Sequence, residues 1–466
     1  MRRRVSGWVV IACALLGGSL HAQSAPAPAL DFEFFRTRVQ PIFLATRPGH
    51  TRCVLCHGDP DSARLHPHLA PLPSGRLFWD EESSRKNFDE FSKVVVPGSL
   101  KSRLLIHPLA EAAGGDYAHL GGKQFPSQDN PEWQTLKAWV MGASVPPSGG
   151  ATHARIIQTN FAGDNIHVID PATNTIVGEI KGIELNHGAA VSPDGSRIYI
   201  SDEGTSTLDV VEGSSLLLFK RIPLSGHPNN ISIGRDGRRV YVSINSAPGA
   251  VDVIDTASLT LAKTIPTNAS VHNTYVTPDG RYVLAGSVSG KAIKVIDAQT
   301  EEIVWTIPMD LGVRPMAMTV NPDGSTKWII MQLTGFNGFA VVDFATRQEI
   351  KRIQNPDLPP GKKPFPPGGE ISHGMAVTPD GKTLVVNSRI NSSLYSYSLP
   401  DLKLIGTAEL LGKGSGWIAL TPDGARAYIS NAVTDDVSVV DIKSMKEVER
   451  IHVGFVPKRN LTAMLP

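Results

Sequence analysis

Two cysteines and a histidine stand close together near the amino terminus, in the segment Cys53-Val54-Leu55-Cys56-His57. In a helical turn, residues i and i+3 lie on the same face, so both thiols can reach the two vinyl groups of one porphyrin. The next residue, His57, is then placed to give its imidazole to the iron. The spacing therefore predicts one covalent haem c, attached through Cys53 and Cys56, with His57 as the proximal iron ligand.

Two other uses of the cysteine pair stay open. A zinc site needs four ligands, and the thiols would have to recruit His66 and His68. A thioredoxin-like redox pair would need a surrounding βαβ unit, and the sequence has no such pattern there.

The amino terminus has the pattern of a secretory signal peptide over residues 1–22. A charged start, Arg2–Arg4, is followed by the apolar stretch Trp8–Leu16 and by Leu20-His21-Ala22, which suits cleavage. The apolar stretch is too short to cross a bilayer as a helix. An uncleaved anchor and a lipid on Cys13 are the alternatives. The pattern predicts a periplasmic or otherwise exported protein with no transmembrane segment after cleavage.

Helical patterns flank the cysteine motif. The stripe before it repeats at helical spacing and would cover one haem face or pack in a core: Phe32, Phe35, Val39 and Phe43. A second helix is predicted near residue 130, with Asn130 as its cap, Pro131 in its first turn and Gly142 at its end. Its apolar side consists of Trp133, Leu136 and Val140.

Several segments of this region resemble the planctomycete-type cytochrome c domain. They are Val39-Gln40-Pro41-Ile42-Phe43, the cysteine motif, Val95-Val96-Pro97-Gly98, Lys101–Leu105 and Leu136–Ala143. The resemblance covers nearly all of residues 31–147 and implies a small all-α cytochrome c domain. It also implies a distal methionine ligand from a Met-Pro-Pro segment before the last helix.

This chain departs from the family at the distal ligand. It has no methionine between residue 23 and Met141, and the stretch that matches the family's Met-Pro-Pro segment is His119-Leu120-Gly121-Gly122. The resemblance therefore makes His119 the first candidate for the distal ligand and His107, which precedes Pro108, the second. Met141 falls inside the last helix and is poorly placed. A surface or core role for His119 stays open.

A short phrase recurs six times in the rest of the chain. It reads Ser192–Gly195, Gly234–Gly237, Thr277–Gly280, Asn321–Gly324, Thr378–Gly381 and Thr421–Gly424, and its Asp residues are 42, 43, 44, 57 and 43 residues apart. Proline at the second position and glycine at the fourth fit a tight turn between strands. Strand patterns lie on both sides of each phrase, and four strands in about 43 residues make a propeller blade.

The blades do not divide evenly along the chain. Six are complete, residues 155–181 supply three strands of another, and residues 460–466 imitate the missing innermost strand. We therefore predict an all-β, seven-bladed propeller over residues 154–466, closed by its carboxy terminus. The repeats resemble the YVTN family of propellers over this whole region.

Three propeller histidines share one position in the repeat. His187, His272 and His373 each lie seven residues before the Asp of their turn, and His227 is close to the same position. By the geometry of the fold they ring one mouth of the central channel. Such imidazoles can bind a transition metal or a second haem, in an arrangement that resembles propeller-type nitrogen-oxide reductases. A polar substrate or partner site, and ordinary loop residues, are the alternatives.

Charge and composition limit the classes of partner that the sequence predicts. A net charge of +1 with 19% charged residues points to no nucleic-acid or membrane-surface partner. The first hypothesis is a periplasmic electron-transfer protein whose propeller docks a redox partner protein. The second is an oxidoreductase in which a small-molecule substrate or metal at the propeller mouth exchanges electrons with the haem. The third is a binding or scaffold propeller with a redox-sensing haem.

Overall fold

The computed structural model describes residues 28–58, 67–72, 79, 81–117, 119, 121–144, 152–358, 360–361, 363–365 and 371–466. The predicted signal peptide, Cys13 and His66 lie outside these residues. The described residues group into two compact units, drawn from Met1–Leu69 with Arg85–Ser144 and from Ala70–Ser84 with Val145–Pro466. None of the helices in the described part of the chain combines the length and the apolar character that a membrane span requires.

Short helices joined by loops make up the described residues before Ser144. They are α1 (Phe32–Phe34), a π-helical turn (Phe35–Val39), a 3-10 turn (Gln40–Phe43), α2 (Cys53–His57), α3 (Glu81–Ser92), α4 (Arg103–Ile106), a 3-10 turn (Glu111–Ala113) and α5 (Pro131–Val140). The predicted helical stripe and closing helix are both present. Sequence analysis did not predict α3. The assignment of this region to an all-α cytochrome c domain stays a prediction.

The helix α5 begins and ends as its sequence dictates. The side-chain oxygen of Asn130 accepts hydrogen bonds from the backbone N–H groups of Glu132 and Trp133, which satisfies donors left open by the first turn. Gly142 follows the helix with a φ of 87°, a left-handed conformation that glycine adopts without strain. The predicted apolar side of the helix is buried.

An aromatic cluster forms the core of this first unit. Phe35 is fully buried, and its ring lies 5.0 Å from Trp139 and 5.5 Å from Phe88, measured between centroids. Phe43 stacks on Phe91 at 4.3 Å. Large rings packed in this way bury much apolar area, so they hold the short helices around them in place.

Seven four-stranded antiparallel sheets form the second unit. The first four sheets contain β1 (His153–Asn160), β2 (Asn165–Asp170), β3 (Thr175–Lys181), β4 (Asn186–Val191), β5 (Arg197–Asp202), β6 (Thr207–Glu212), β7 (Leu218–Pro223), β8 (Pro228–Ile233), β9 (Arg239–Ile244), β10 (Ala250–Asp255), β11 (Thr260–Pro266), β12 (Asn273–Val276), β13 (Tyr282–Ser287), β14 (Ala292–Asp297) and β15 (Glu302–Pro308). The other three contain β16 (Val313–Val320), β17 (Thr326–Leu333), β18 (Gly338–Asp343), β19 (Gln348–Gln354), β20 (Met375–Val377), β21 (Thr383–Ser388), β22 (Ser393–Ser398), β23 (Leu404–Glu409), β24 (Ser415–Leu420), β25 (Arg426–Asn431), β26 (Asp436–Asp441) and β27 (Lys446–His452).

The last strand, β28 (Pro457–Leu465), closes the ring. It pairs antiparallel with β1, with Leu461 opposite Ile157 and Leu465 opposite His153, and gives the sheet order β28-β1-β2-β3. The innermost strands β28, β4, β8, β12, β16, β20 and β24 contact one another in sequence, and β24 contacts β28 again. The prediction of a seven-bladed propeller completed by its carboxy terminus is confirmed.

The recurring Asp-Gly phrase builds the turn between the first two strands of six blades. In Thr378–Gly381, the N–H of Gly381 donates to the carbonyl of Thr378 at 2.8 Å, and Gly381 has a φ of 70°. The carboxylate of Asp380 accepts the backbone N–H of Lys382 at 3.0 Å. The glycine supplies the left-handed conformation and the aspartate satisfies a loop donor, so the repeat has a structural cause.

Candidate functional site

The cysteine motif forms a short helix of its own. Arg52 precedes α2 in an extended conformation, and the five residues Cys53–His57 are helical. Cys53 and Cys56 therefore lie one turn apart on one face, and both are partly buried and unlinked by a disulfide. Leu55 is 57% exposed. Burial raises the pKa of the Cys53 thiol, which Arg47 partly opposes, so this thiol is protonated at neutral pH.

The imidazole of His57 is oriented by the backbone. Its Nδ1 lies 2.7 Å from the carbonyl oxygen of Pro67. A proton on Nδ1 that donates to this carbonyl leaves Nε2 with a lone pair, which is the form that binds a metal. Burial lowers the pKa of His57, which keeps the ring neutral.

His119 faces His57 in a matching orientation. The two ring centroids are 6.5 Å apart and the ring planes differ by 18°. Two imidazoles bound end-on to one metal ion, each with a nitrogen–metal bond of about 2 Å and about 1 Å more to the ring centre, place their centroids roughly 6 to 6.5 Å apart. The Nδ1 of His119 is hydrogen-bonded to the carbonyl of Gly122, and burial lowers its pKa as well. Both rings therefore keep a lone pair on Nε2.

The other candidate ligands of this region have different surroundings. Nδ1 of His107 pairs with Asp116, and its Nε2 lies 2.8 Å from the guanidinium of Arg103, so both ring nitrogens are engaged. Met141 is the C-cap residue of α5 and is 46% exposed. Of the zinc alternative, His66 falls outside the described residues, and within them Cys53, Cys56 and His68 do not form a metal-binding group.

Aromatic rings stand beside the paired imidazoles. The ring of Phe91, on α3, lies 6.1 Å from the ring of His57 and stacks on Phe43. Such an apolar wall excludes water from the neighbourhood of His57. The sequence predicted the contribution of Phe43 but not that of Phe91.

The predicted propeller histidines lie where their innermost strands begin. The strand pairing is irregular at this point in β4, β8, β16, β24 and β28, where the register shifts as in a β-bulge. A bulge redirects a side chain that would otherwise follow the alternation of the strand. The entry to the channel is therefore built by irregular backbone in most of the blades.

A direct ring contact joins two of the three histidines. The rings of His272 and His373 are perpendicular, with centroids 5.6 Å apart. His187 instead contacts Phe161 and pairs through Nδ1 with Glu203, whose other oxygen lies 3.6 Å from Nε2 of His227. Burial lowers the pKa of His187 well below its usual range and raises that of Glu203.

A buried arginine stands among these histidines. Arg459, on β28, is 2% exposed, and its guanidinium lies 3.9 Å from the centroid of the Trp417 ring. Its charge adds to burial in lowering the pKa of each of the three histidines. Sequence analysis did not single out Arg459. The sequence nonetheless sets Arg459 apart, because it is charged where the corresponding residues of the other blades are uncharged. Those residues are Asn186, Pro228, Val271, Pro315, Ser372 and Ser415.

The chemistry of the channel mouth does not favour a metal cation. Within the described ranges, no group of three or more His, Cys, Asp and Glu side chains is arranged to hold a metal ion. The cations Arg459, Arg314 and Lys458 all act on His272. A metal at His187, His272 and His373 therefore stays a prediction without a supporting observation.

One family model matches part of the propeller. Residues 245–450 match the model described as lactonase, 7-bladed beta-propeller. The match covers less than half of the chain and agrees with the seven-bladed fold of the sheets. No curated protein matches the chain.

Solved structures agree with this fold. Hydrazine synthase of Kuenenia stuttgartiensis is 21% identical, with a TM-score of 0.54, over 63% of this chain and 93% of that one. The periplasmic gluconolactonase of Pseudomonas aeruginosa is 18% identical, with a TM-score of 0.54, over 67% and 99%. A protein from Lactobacillus plantarum is 16% identical, with a TM-score of 0.56, over 67% and 99%. At these identities the likeness establishes the fold alone.

Proposed function

We propose that this chain is an exported c-type cytochrome that transfers electrons in the periplasm, with a propeller that docks its redox partner. The observation that supports the proposal most strongly is the pair formed by His57 and His119. Their rings are nearly parallel and separated by 6.5 Å, with both Nδ1 atoms hydrogen-bonded to backbone carbonyls.

The residues of α2 fit a covalently attached haem. The thiols of Cys53 and Cys56 would each add across one vinyl group: a carbon–sulfur bond forms, the double bond becomes single, and the thiol hydrogen moves to carbon. The protonated state of Cys53 supplies that hydrogen, and no oxidant is required. When bound, the haem supplies an iron that accepts and releases one electron.

The protein would tune that iron through the residues already described. His57 and His119 would both hold the iron, and each imidazole is oriented by a backbone carbonyl. Hydrogen bonds from Nδ1 make the imidazoles better electron donors, which favours the oxidised iron and lowers the reduction potential. Phe91 and Phe43 would shield the His57 side from water.

The experiment is a ligand exchange at His119 in full-length protein from a host with haem-attachment machinery. The parent should give a low-spin spectrum without the sulfur-to-iron charge-transfer band of methionine ligation. His119→Met should introduce that band and raise the reduction potential, whereas His107→Ala, the matched control, should leave the spectrum low-spin. Parent protein that shows the sulfur band, or a His119→Ala variant that keeps the parent's low-spin spectrum, would refute His119 as the ligand.

A further inference from the structure

The guanidinium of Arg459 is buried without enough hydrogen-bond partners. Its Nη2 donates to Oδ1 of Asn229 at 2.7 Å. Its Nε and Nη1 have no partner among the described residues. Burial lowers the pKa of Arg459 to about 10, which still leaves the group charged at neutral pH. A buried guanidinium with two unsatisfied donors is costly, so a counter-charge at this position would be stabilising.

The neighbouring charges do not supply that partner. Glu203 is the acid that acts on Arg459 through space, and its two oxygens are engaged by His187 and His227. Lys458 and Arg314 add positive charge to the same region, because both lower the pKa of His272. Burial lowers the pKa of His187, His272 and His373, so these three are neutral. The mouth of the channel therefore carries an excess of positive charge.

Arg459 is one of the residues that line a cavity of the propeller. The volume of this cavity is about 290 Å³, and its wall includes Arg459, Trp417, Asn230, Asn460 and Tyr275. Burial raises the pKa of Tyr275 to about 12, so its hydroxyl keeps its proton at neutral pH. The volume lies at the lower end of the roughly 300 to 1,000 Å³ that small-molecule sites occupy. A small polar molecule fits this space, and a large cofactor does not.

We infer that this cavity binds a small organic acid whose carboxylate pairs with Arg459. A carboxylate matches the planar guanidinium in geometry and offsets part of the positive excess of this region. A metal cation would add to that excess. The site does not require the haem, so this inference and the proposed cytochrome function can fail separately.

The test measures ligand binding in the full-length protein by thermal unfolding of the propeller. The ligands are acetate, lactate and succinate, with acetamide as an uncharged analogue and inorganic phosphate as the competing anion. At least one carboxylate should raise the midpoint in a saturable way, as expected when a ligand binds only the folded state. Acetamide should have no effect. Arg459→Met should weaken the carboxylate at least about tenfold, since one charge-assisted hydrogen-bond pair is lost.

Two further variants keep the test decisive. Arg238→Met removes an arginine from the exposed surface and should bind the acid as the parent does. Should Arg459→Met fail to fold, Arg459→Lys keeps the charge but not the planar fork, and it should fold and bind the acid more weakly. Parent protein that responds to no carboxylate, an equal response in parent and Arg459→Met, or a response to phosphate alone would each overturn the inference.

Discussion

Truncation of Leu465 to alanine tests whether the carboxy terminus completes a blade. Leu465 is 4% exposed and packs in a cluster with Ile157, Ile166 and Ile183 of the first blade. A buried Leu→Ala change costs about 2 to 5 kcal/mol, because it removes apolar contacts and leaves a cavity. An unfolding entropy of about 2.1 cal/mol/K per residue gives about 1.5 °C per kcal/mol for a propeller that spans residues 154–466, so its midpoint should fall by at least roughly 3 °C.

The adjacent residue provides the control for this experiment. Met464 lies on the same strand but is 42% exposed, because neighbouring strand residues point to opposite faces. Met464→Ala should therefore cost less than about 1 kcal/mol. Unfolding is followed by far-ultraviolet circular dichroism in both variants. Equal midpoints for parent and Leu465→Ala, or a larger loss in Met464→Ala, would refute the packing of β28 in the first blade.

Further predictions concern the propeller's charges, turns and histidines. Burial raises the pKa of Asp209 to about 6, so the folded state holds this proton more tightly than the unfolded state. The stability of the parent relative to Asp209→Asn should therefore fall as pH rises from about 4 to 7, because this comparison cancels the opposite contribution of the buried histidines, and urea unfolding of both proteins across that range measures it. Gly381 has a φ of 70° and nothing within 4 Å of an added Cβ. Gly381→Ala should thus cost about 1 to 2 kcal/mol from backbone strain alone, and a thermal midpoint equal to that of the parent would contradict this account. Metal analysis of the parent against the combined His187→Ala, His272→Ala and His373→Ala variant tests the sequence-based metal site: a transition metal lost only in the variant supports it, and equal contents reject it.

Local sequence rules were sufficient to predict the propeller. The Asp-Gly turn recurs because each blade needs the same left-handed glycine and the same aspartate acceptor, so the period shows directly in the sequence. The incomplete first blade then required a strand from elsewhere, and the segment at residues 460–466 was the one that matched. Here the local pattern and the global closure lead to the same fold.

The candidate sites were less predictable, because they depend on contacts between distant residues. The spacing of Cys53, Cys56 and His57 is local, and it was enough to predict their shared helix. The approach of His119 to His57 is a tertiary contact that only the resemblance to a family pointed to. Shared repeat position placed His187 and His272 at the same mouth, but it could not show that Glu203 engages one of them. Arg459 was missed although it is charged where the other blades are uncharged, because the repeat position alone does not show that its guanidinium is buried.

The central claim is tested most directly by the mass of the denatured protein. The full-length chain is produced in a host with haem-attachment machinery and extracted with acid acetone. Its molecular mass is then measured by mass spectrometry beside that of the variant in which Cys53 and Cys56 are both serine. The account predicts that the pigment stays with the parent chain and adds the mass of one haem, while the double variant has the mass of the polypeptide alone. Parent protein that releases its pigment into the solvent, or that carries no added mass, would contradict the account.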